Sequence, residues 1–96
     1  MIIMTVTFES GLAQQDAYST AEERLPQFRE VPGLLQKFYV KRNEPSTYSG
    51  IYIWDSIESM KNFRESELAA TIPAAYQVKG KPQVDVSEVF TTLRSV

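Results

Sequence analysis

Neither cysteine nor histidine occurs in this 96-residue chain. Without cysteine there is no disulfide and no thiolate nucleophile. Without histidine there is no imidazole base, no Ser-His-Asp triad and no His-ligated haem, and the two absences together leave no ordinary zinc site. Clustered acids are also scarce. Glu22-Glu23 is the one adjacent acidic pair, and neighbouring helix positions diverge by about 100°, so the pair reads as a solvated helix face. No metal is expected. Charge of one sign is lacking too: ten Lys and Arg against 12 Asp and Glu give a net charge of -2, with the basic residues scattered. That pattern offers no footprint for nucleic acid or for an anionic membrane surface. The opening Met1-Ile2-Ile3-Met4-Thr5-Val6 has no basic n-region and is too short for an h-region or a membrane span. A cysteine-free chain suits a reducing compartment, and a cytoplasmic location is the expectation.

What is present is an ordinary globular balance, 43% hydrophobic and 23% charged, in a length that suits one domain over residues 1–96. Gly50-Ile51-Tyr52-Ile53-Trp54-Asp55-Ser56-Ile57-Glu58-Ser59-Met60-Lys61-Asn62-Phe63 is the stretch around which the rest is organised. Gly50 to Trp54 is β-branched and aromatic, as a buried strand requires. Asp55 and Glu58 have capping-box spacing, and Ile57, Met60 and Phe63 follow at helical spacing. A strand running straight into a helix makes a corner, and a pocket is expected near it.

The remaining elements read in chain order. Ile2 to Phe8 alternates, with Ile2, Met4, Val6 and Phe8 against Ile3, Thr5 and Thr7, and predicts a first strand. Leu12 to Arg29 predicts a helix with the stripe Tyr18, Ala21, Leu25 and Phe28, interrupted at Pro26 by a kink or by a second short helix. Leu34 to Arg42 predicts a strand with Leu34, Gln36, Phe38 and Val40 on one face and Leu35, Lys37, Tyr39 and Lys41 on the other. Asn43-Glu44-Pro45-Ser46 is turn chemistry and closes a hairpin with Tyr48 to Trp54. The second helix runs from Asp55 or Ser56 to about Ser66. A short helical turn starts near Pro73, residues 79–82 form a loop, and Gln83 to Phe90 is a fourth strand with a tail over residues 91–96.

The order β-α-β-β-α-β predicts an α+β fold, the ferredoxin-like split arrangement with a four-stranded antiparallel sheet and its helices on one face. Both faces carry large residues, so a lone chain would leave an apolar sheet face in water. A second copy packed sheet to sheet, a homodimer through the open sheet face, is the expected cover.

Pro32-Gly33-Leu34-Leu35-Gln36-Lys37-Phe38-Tyr39-Val40, the stretch Gly50 to Phe63, and Ser66-Glu67-Leu68-Ala69-Ala70-Thr71-Ile72-Pro73-Ala74-Ala75-Tyr76 together resemble the dimeric α/β-barrel superfamily. The resemblance spans residues 1–94 and is nearest to a branch of small bacterial monooxygenases related to the antibiotic-biosynthesis monooxygenases. It implies a homodimer with a cavity between sheet and helices in each subunit. It also implies oxidation of an aromatic or quinol-like substrate by O₂ without flavin, haem or metal, the substrate's own carbanion supplying the electrons. Relatives that degrade haem, or that use histidine for isomerisation or lactone chemistry, are set aside because the chain has no histidine. No catalytic set carries over residue by residue.

Six residues are candidates for holding a small hydrophobic or aromatic molecule. Trp54 can stack on a flat substrate or fill the core. Tyr39 and Tyr52 can hydrogen-bond a phenolate or enolate oxygen, or pack at the sheet or interface. Lys37 can place positive charge beside an enol, or lie at the rim. Phe63 and Tyr76 can line a cavity or belong to the core. Asn62 and Arg64 read as solvent-exposed. The alternative to an oxygenase is a small-molecule-binding or structural homodimer without catalytic activity.

Overall fold

Alternation of apolar and polar residues builds the centre of the sheet first. A computed structural model describes residues 1–95, and in it β1 (Ile2–Ser10) pairs antiparallel with β3 (Thr47–Trp54). The register sets Ile2 opposite Trp54, Met4 opposite Tyr52, Val6 opposite Gly50 and Phe8 opposite Tyr48. Period-two geometry therefore sends both expected apolar rows to the same side. The other elements are α1 (Gln14–Arg29), β2 (Leu34–Lys41), α2 (Ile57–Arg64), α3 (Glu67–Ala75) and β4 (Val78–Glu88). The strand order β2-β3-β1-β4, antiparallel throughout, is the ferredoxin-like topology with one helix more than expected.

Between sheet and helices lies a core of Ile2, Met4, Phe28, Tyr52, Trp54, Met60 and Phe63. Each such side chain contributes about 1.5–3 kcal/mol by leaving water. The aromatic members interlock. Tyr52 and Trp54, two apart on β3, are stacked at 5.9 Å with planes 3° apart, and Phe63 lies 5.4 Å from both rings.

Several boundaries differ from the sequence expectation. Gln36 pairs with Ile53 and Leu34 with Trp54, so a bulge at Leu35 shifts the register of β2. A bulge gives two residues to one on the partner strand. Leu34 consequently joins Lys37, Tyr39 and Lys41 on the helix side and packs on the core, while Leu35 stands 55% exposed. Helix α1 continues through Pro26 as one helix, so no second short helix forms there. The cap of α2 is Ser56, whose hydroxyl accepts from the Ser59 N–H, rather than Asp55. That helix stops at Arg64 because Ser66 caps the next one, accepting from Ala69 N–H. The turn expected at Pro73 is thus the last part of a nine-residue α3.

The loop expected over residues 79–82 lies inside β4. Thr7 pairs with Gln83 and Glu9 with Lys79; β4 takes four steps where β1 takes two, and Gly80 absorbs the irregularity at φ 69°. Pro82 is tolerated because β4 is an edge strand. The strand ends at Glu88, so Phe90 is 94% exposed rather than part of the sheet. Of the expected tail, Val96 lies outside the described residues. Among those residues, no helix is long and apolar enough to cross a membrane.

Candidate functional site

Beyond the core, at the end of the sheet away from Trp54, sheet and helices part and leave a cavity of about 310 Å³. The sequence accounts for its shape. Ala17 and Ala21 keep the facing surface of α1 low, and Gly50 keeps that of β3 low. A Cβ on Gly50 would come within 3.3 Å of Lys37 Cε and 3.0 Å of a Tyr52 ring carbon. Glycine in a strand interior marks such a close approach, and here it makes room for the lysine stem. Phe8, Tyr18, Tyr39, Tyr48, Tyr52 and Tyr76 supply an aromatic wall. Phe8 lies 5.2 Å from Tyr76 and 6.3 Å from Tyr48, and Tyr48 meets Tyr18 edge-on at 6.3 Å.

Lys37 is the polar centre of this wall. Its Nζ stands 3.6 Å from the ring centre of Phe28, 4.3 Å from Tyr39 and 4.5 Å from Tyr52. Two effects oppose each other. The ring faces attract the charged ammonium, each by about 0.5–2 kcal/mol. Burial disfavours the charge, and the Arg24 guanidinium nearby repels it. Burial and Arg24 dominate, and the amine is pushed down from 10.5 to about 7. The tyrosines move the opposite way, because burial disfavours phenolate. Tyr39 is pushed up to about 12, and Tyr52 and Tyr76 are also raised. At neutral pH their hydroxyls are donors.

Arg24 is the residue that pattern reading missed. Its guanidinium donates to Thr71 Oγ1 at 2.8 Å and lies 5.9 Å from the Phe28 ring, while its Nε is buried without a partner. The signal was present: Arg24 falls three after Ala21 and four before Phe28, on the inward stripe of α1. Among the described residues, no acidic side chain lines the cavity, and no group of three acids comes together to hold a metal ion.

The six sequence candidates divide. Lys37, Tyr39, Tyr52 and Tyr76 come together on the cavity wall. Trp54 and Phe63 do not join them. Trp54 is 0% exposed, stacked behind Tyr52, and its indole N–H is buried without a partner. Phe63 belongs to the core and touches a second cleft of about 270 Å³ between α1 and α2. The pocket expected at the corner of β3 and α2 is thus displaced along β3, because Trp54 and Phe63 fill that corner. Asn62 and Arg64 are exposed, as the sequence reading expects.

No family model and no curated protein matches the sequence. Solved structures do match the fold. SnoaB, a cofactor-independent oxygenase from Streptomyces nogalater, superposes with a TM-score of 0.76 at 14% identity, over 98% of this chain and 97% of that one. The monooxygenase of ActVA-Orf6 from Streptomyces coelicolor, solved with nanaomycin D, gives 0.73 at 18% identity, over 99% and 92%. The chain has the fold of the antibiotic-biosynthesis monooxygenases. NE2512 from Nitrosomonas europaea, a protein of unknown function, shares that fold at 17% identity and a TM-score of 0.77, over 99% and 94%. The fold is thus common ground, and chemistry has to be argued from the side chains.

Proposed function

We propose that this protein is a cofactor-independent monooxygenase that oxidises a small, flat aromatic or quinol-like substrate with O₂. One observation carries the reading: an aromatic cavity with a half-buried amine and tyrosine hydroxyls, and no acidic side chain lining it among the described residues, in a fold shared with oxygenases. Such a site suits a substrate that ionises to an electron-rich enolate. The carbanion donates an electron to O₂, the radical pair combines to a peroxide, and loss of water leaves a carbonyl. One oxygen atom enters the product and the other leaves as water, so the substrate is its own reductant. The protein's part is to bind, orient and desolvate the enolate. Lys37 and Arg24 supply positive charge where anionic charge develops, and the Tyr39, Tyr52 and Tyr76 hydroxyls stand ready to donate to it.

The active unit is a homodimer. Ile3, Ile51, Ile53 and Phe38 lie on the sheet face opposite the helices, and Phe38 is 52% exposed. A second copy of this face is its natural cover.

Oxygen consumption with a panel of anthrones and hydroquinones tests the function. Wild type should turn over at least one compound. Tyr39→Phe should lower that turnover about tenfold, the value of one hydrogen bond, while keeping the fold. Trp54→Phe should lower the melting temperature and leave most of the turnover. If no compound supports oxygen uptake and none raises the melting temperature, the enzyme reading is lost. Ligand binding without oxygen uptake would favour a binding homodimer instead.

A further inference from the structure

The Lys37 amine is placed where the protein gives it nothing to donate to. Among the described residues its surroundings are three ring faces, and neither a hydrogen bond nor an anion is among the influences on it. The ionisable groups around it are Arg24 from α1, Tyr39 on its own strand and Tyr52 from β3, and the other ionisable residues on the cavity wall are Lys41, Tyr18, Tyr48 and Tyr76, so no acid is among them. Lys37, Tyr39 and Tyr52 all line the cavity, so the cage of rings opens onto the ligand space. An amine held this way is completed by whatever occupies the cavity.

We propose that Lys37 is the proton acceptor of the site: a phenol or enol bound in the cavity gives its hydroxyl proton to the neutral amine. The ligand O–H bond breaks, an N–H bond forms, and the pair left behind is an ammonium beside a phenolate or enolate. The assignment deepens the oxygenase reading by naming the substrate as a hydroxyl acid and Lys37 as the base. Three features support it. Burial and Arg24 keep much of the amine neutral near pH 7, so its lone pair is available. The ring faces that gain little from a neutral amine stabilise the ammonium once it forms. The anion then raises the proton affinity of the amine beside it and so holds it as ammonium, and Arg24 provides a second positive charge.

A fixed cation would attract the same anion but could not take its proton, and counting protons separates the two. The probe is 4-nitrophenol, which O₂ does not need to attack. Calorimetric titration at about pH 8.5, where the probe is phenolate and the amine is mainly neutral, is run in two buffers of different protonation enthalpy. Wild type should take up about one proton per site on binding, because the amine becomes ammonium beside the anion. Lys37→Arg, charged throughout, should bind the phenolate with no uptake. Binding by wild type without proton uptake, or no binding at millimolar probe, overturns the proposal. The wild-type count decides even if the variant fails to fold. Because the readout is a proton and not oxygen, absence of oxygenase activity leaves the result interpretable.

Discussion

Replacing Lys37 by methionine should make the protein more stable and remove a specific pH dependence. Methionine keeps the length of the stem and deletes the amine. In the fold the amine titrates near 7, against 10.5 in the unfolded chain. The depressed value means that the native state binds fewer protons than the unfolded state between those limits. Wild-type stability therefore rises as pH increases from about 7 toward 10.5, and is lost as pH falls toward 7. Bringing the ammonium into the fold at pH 7 costs about 4 kcal/mol on this displacement. The gain expected of Lys37→Met at pH 7 is of the same order, about 4 kcal/mol.

The assay is a melting curve for each protein at fixed concentration between pH 7 and pH 9. Over that window wild type should gain about 2 kcal/mol, or about 10 °C for a domain of this size. The variant should show no such rise. The window stops at pH 9 because raised tyrosines act with the opposite sign. Tyr39, pushed up to about 12 by burial, holds its proton in the fold and makes stability fall above about pH 10. Parallel curves for wild type and variant from pH 7 to 9 would refute the claim that burial dominates the ring contacts.

Two further predictions concern the scaffold. Sedimentation should give about twice the 10.9 kDa chain mass, and Ile51→Lys, which sets a charge on the helix-free face opposite Phe38 and Thr5, should give the single-chain mass. A wild-type monomer at micromolar concentration would sink the buried-sheet argument. Gly33→Ala should destabilise by about 2 kcal/mol or more, because Gly33 has φ 78° and an added Cβ would collide with Ser59 and approach Asp55 Oδ1 at 2.6 Å. An unchanged melting temperature would show that the turn before β2 adopts another conformation.

The topology was legible because period-two and period-3.6 patterns are properties of consecutive residues. Ile2, Met4 and Phe8 announce a face, and Tyr52 and Trp54 announce its partner. What failed to show depends on residues far apart in sequence. The extension of β4 back to Val78 follows from a pairing with Ser10 and Glu9, which no local pattern around Gly80 or Pro82 suggests. Trp54 looked like a cavity residue because it is large and at a strand end. Its ring is instead covered by Tyr52 and Phe63, and that depends on how α2 returns over the sheet.

The placement of Lys37 turns on a smaller feature still. Strict alternation puts Lys37 and Tyr39 with Leu35 and leaves Leu34 opposite. A bulge at Leu35 resets the strand, so Leu34 can seal the core beside Trp54 while Lys37 three residues later points to the same side. Without the bulge, the side that takes Leu34 into the core would present Gln36 and Phe38 to the helices, and the lysine would stand on the open face. The irregularity therefore allows one strand to serve two purposes, an apolar plug at one end and a basic group at the other. Gly50 completes the arrangement by leaving the lysine stem space on the neighbouring strand. A methyl group at Gly50 would press on the lysine stem, so the place of the amine is set by backbone register and by its neighbouring strand as much as by its own residue type.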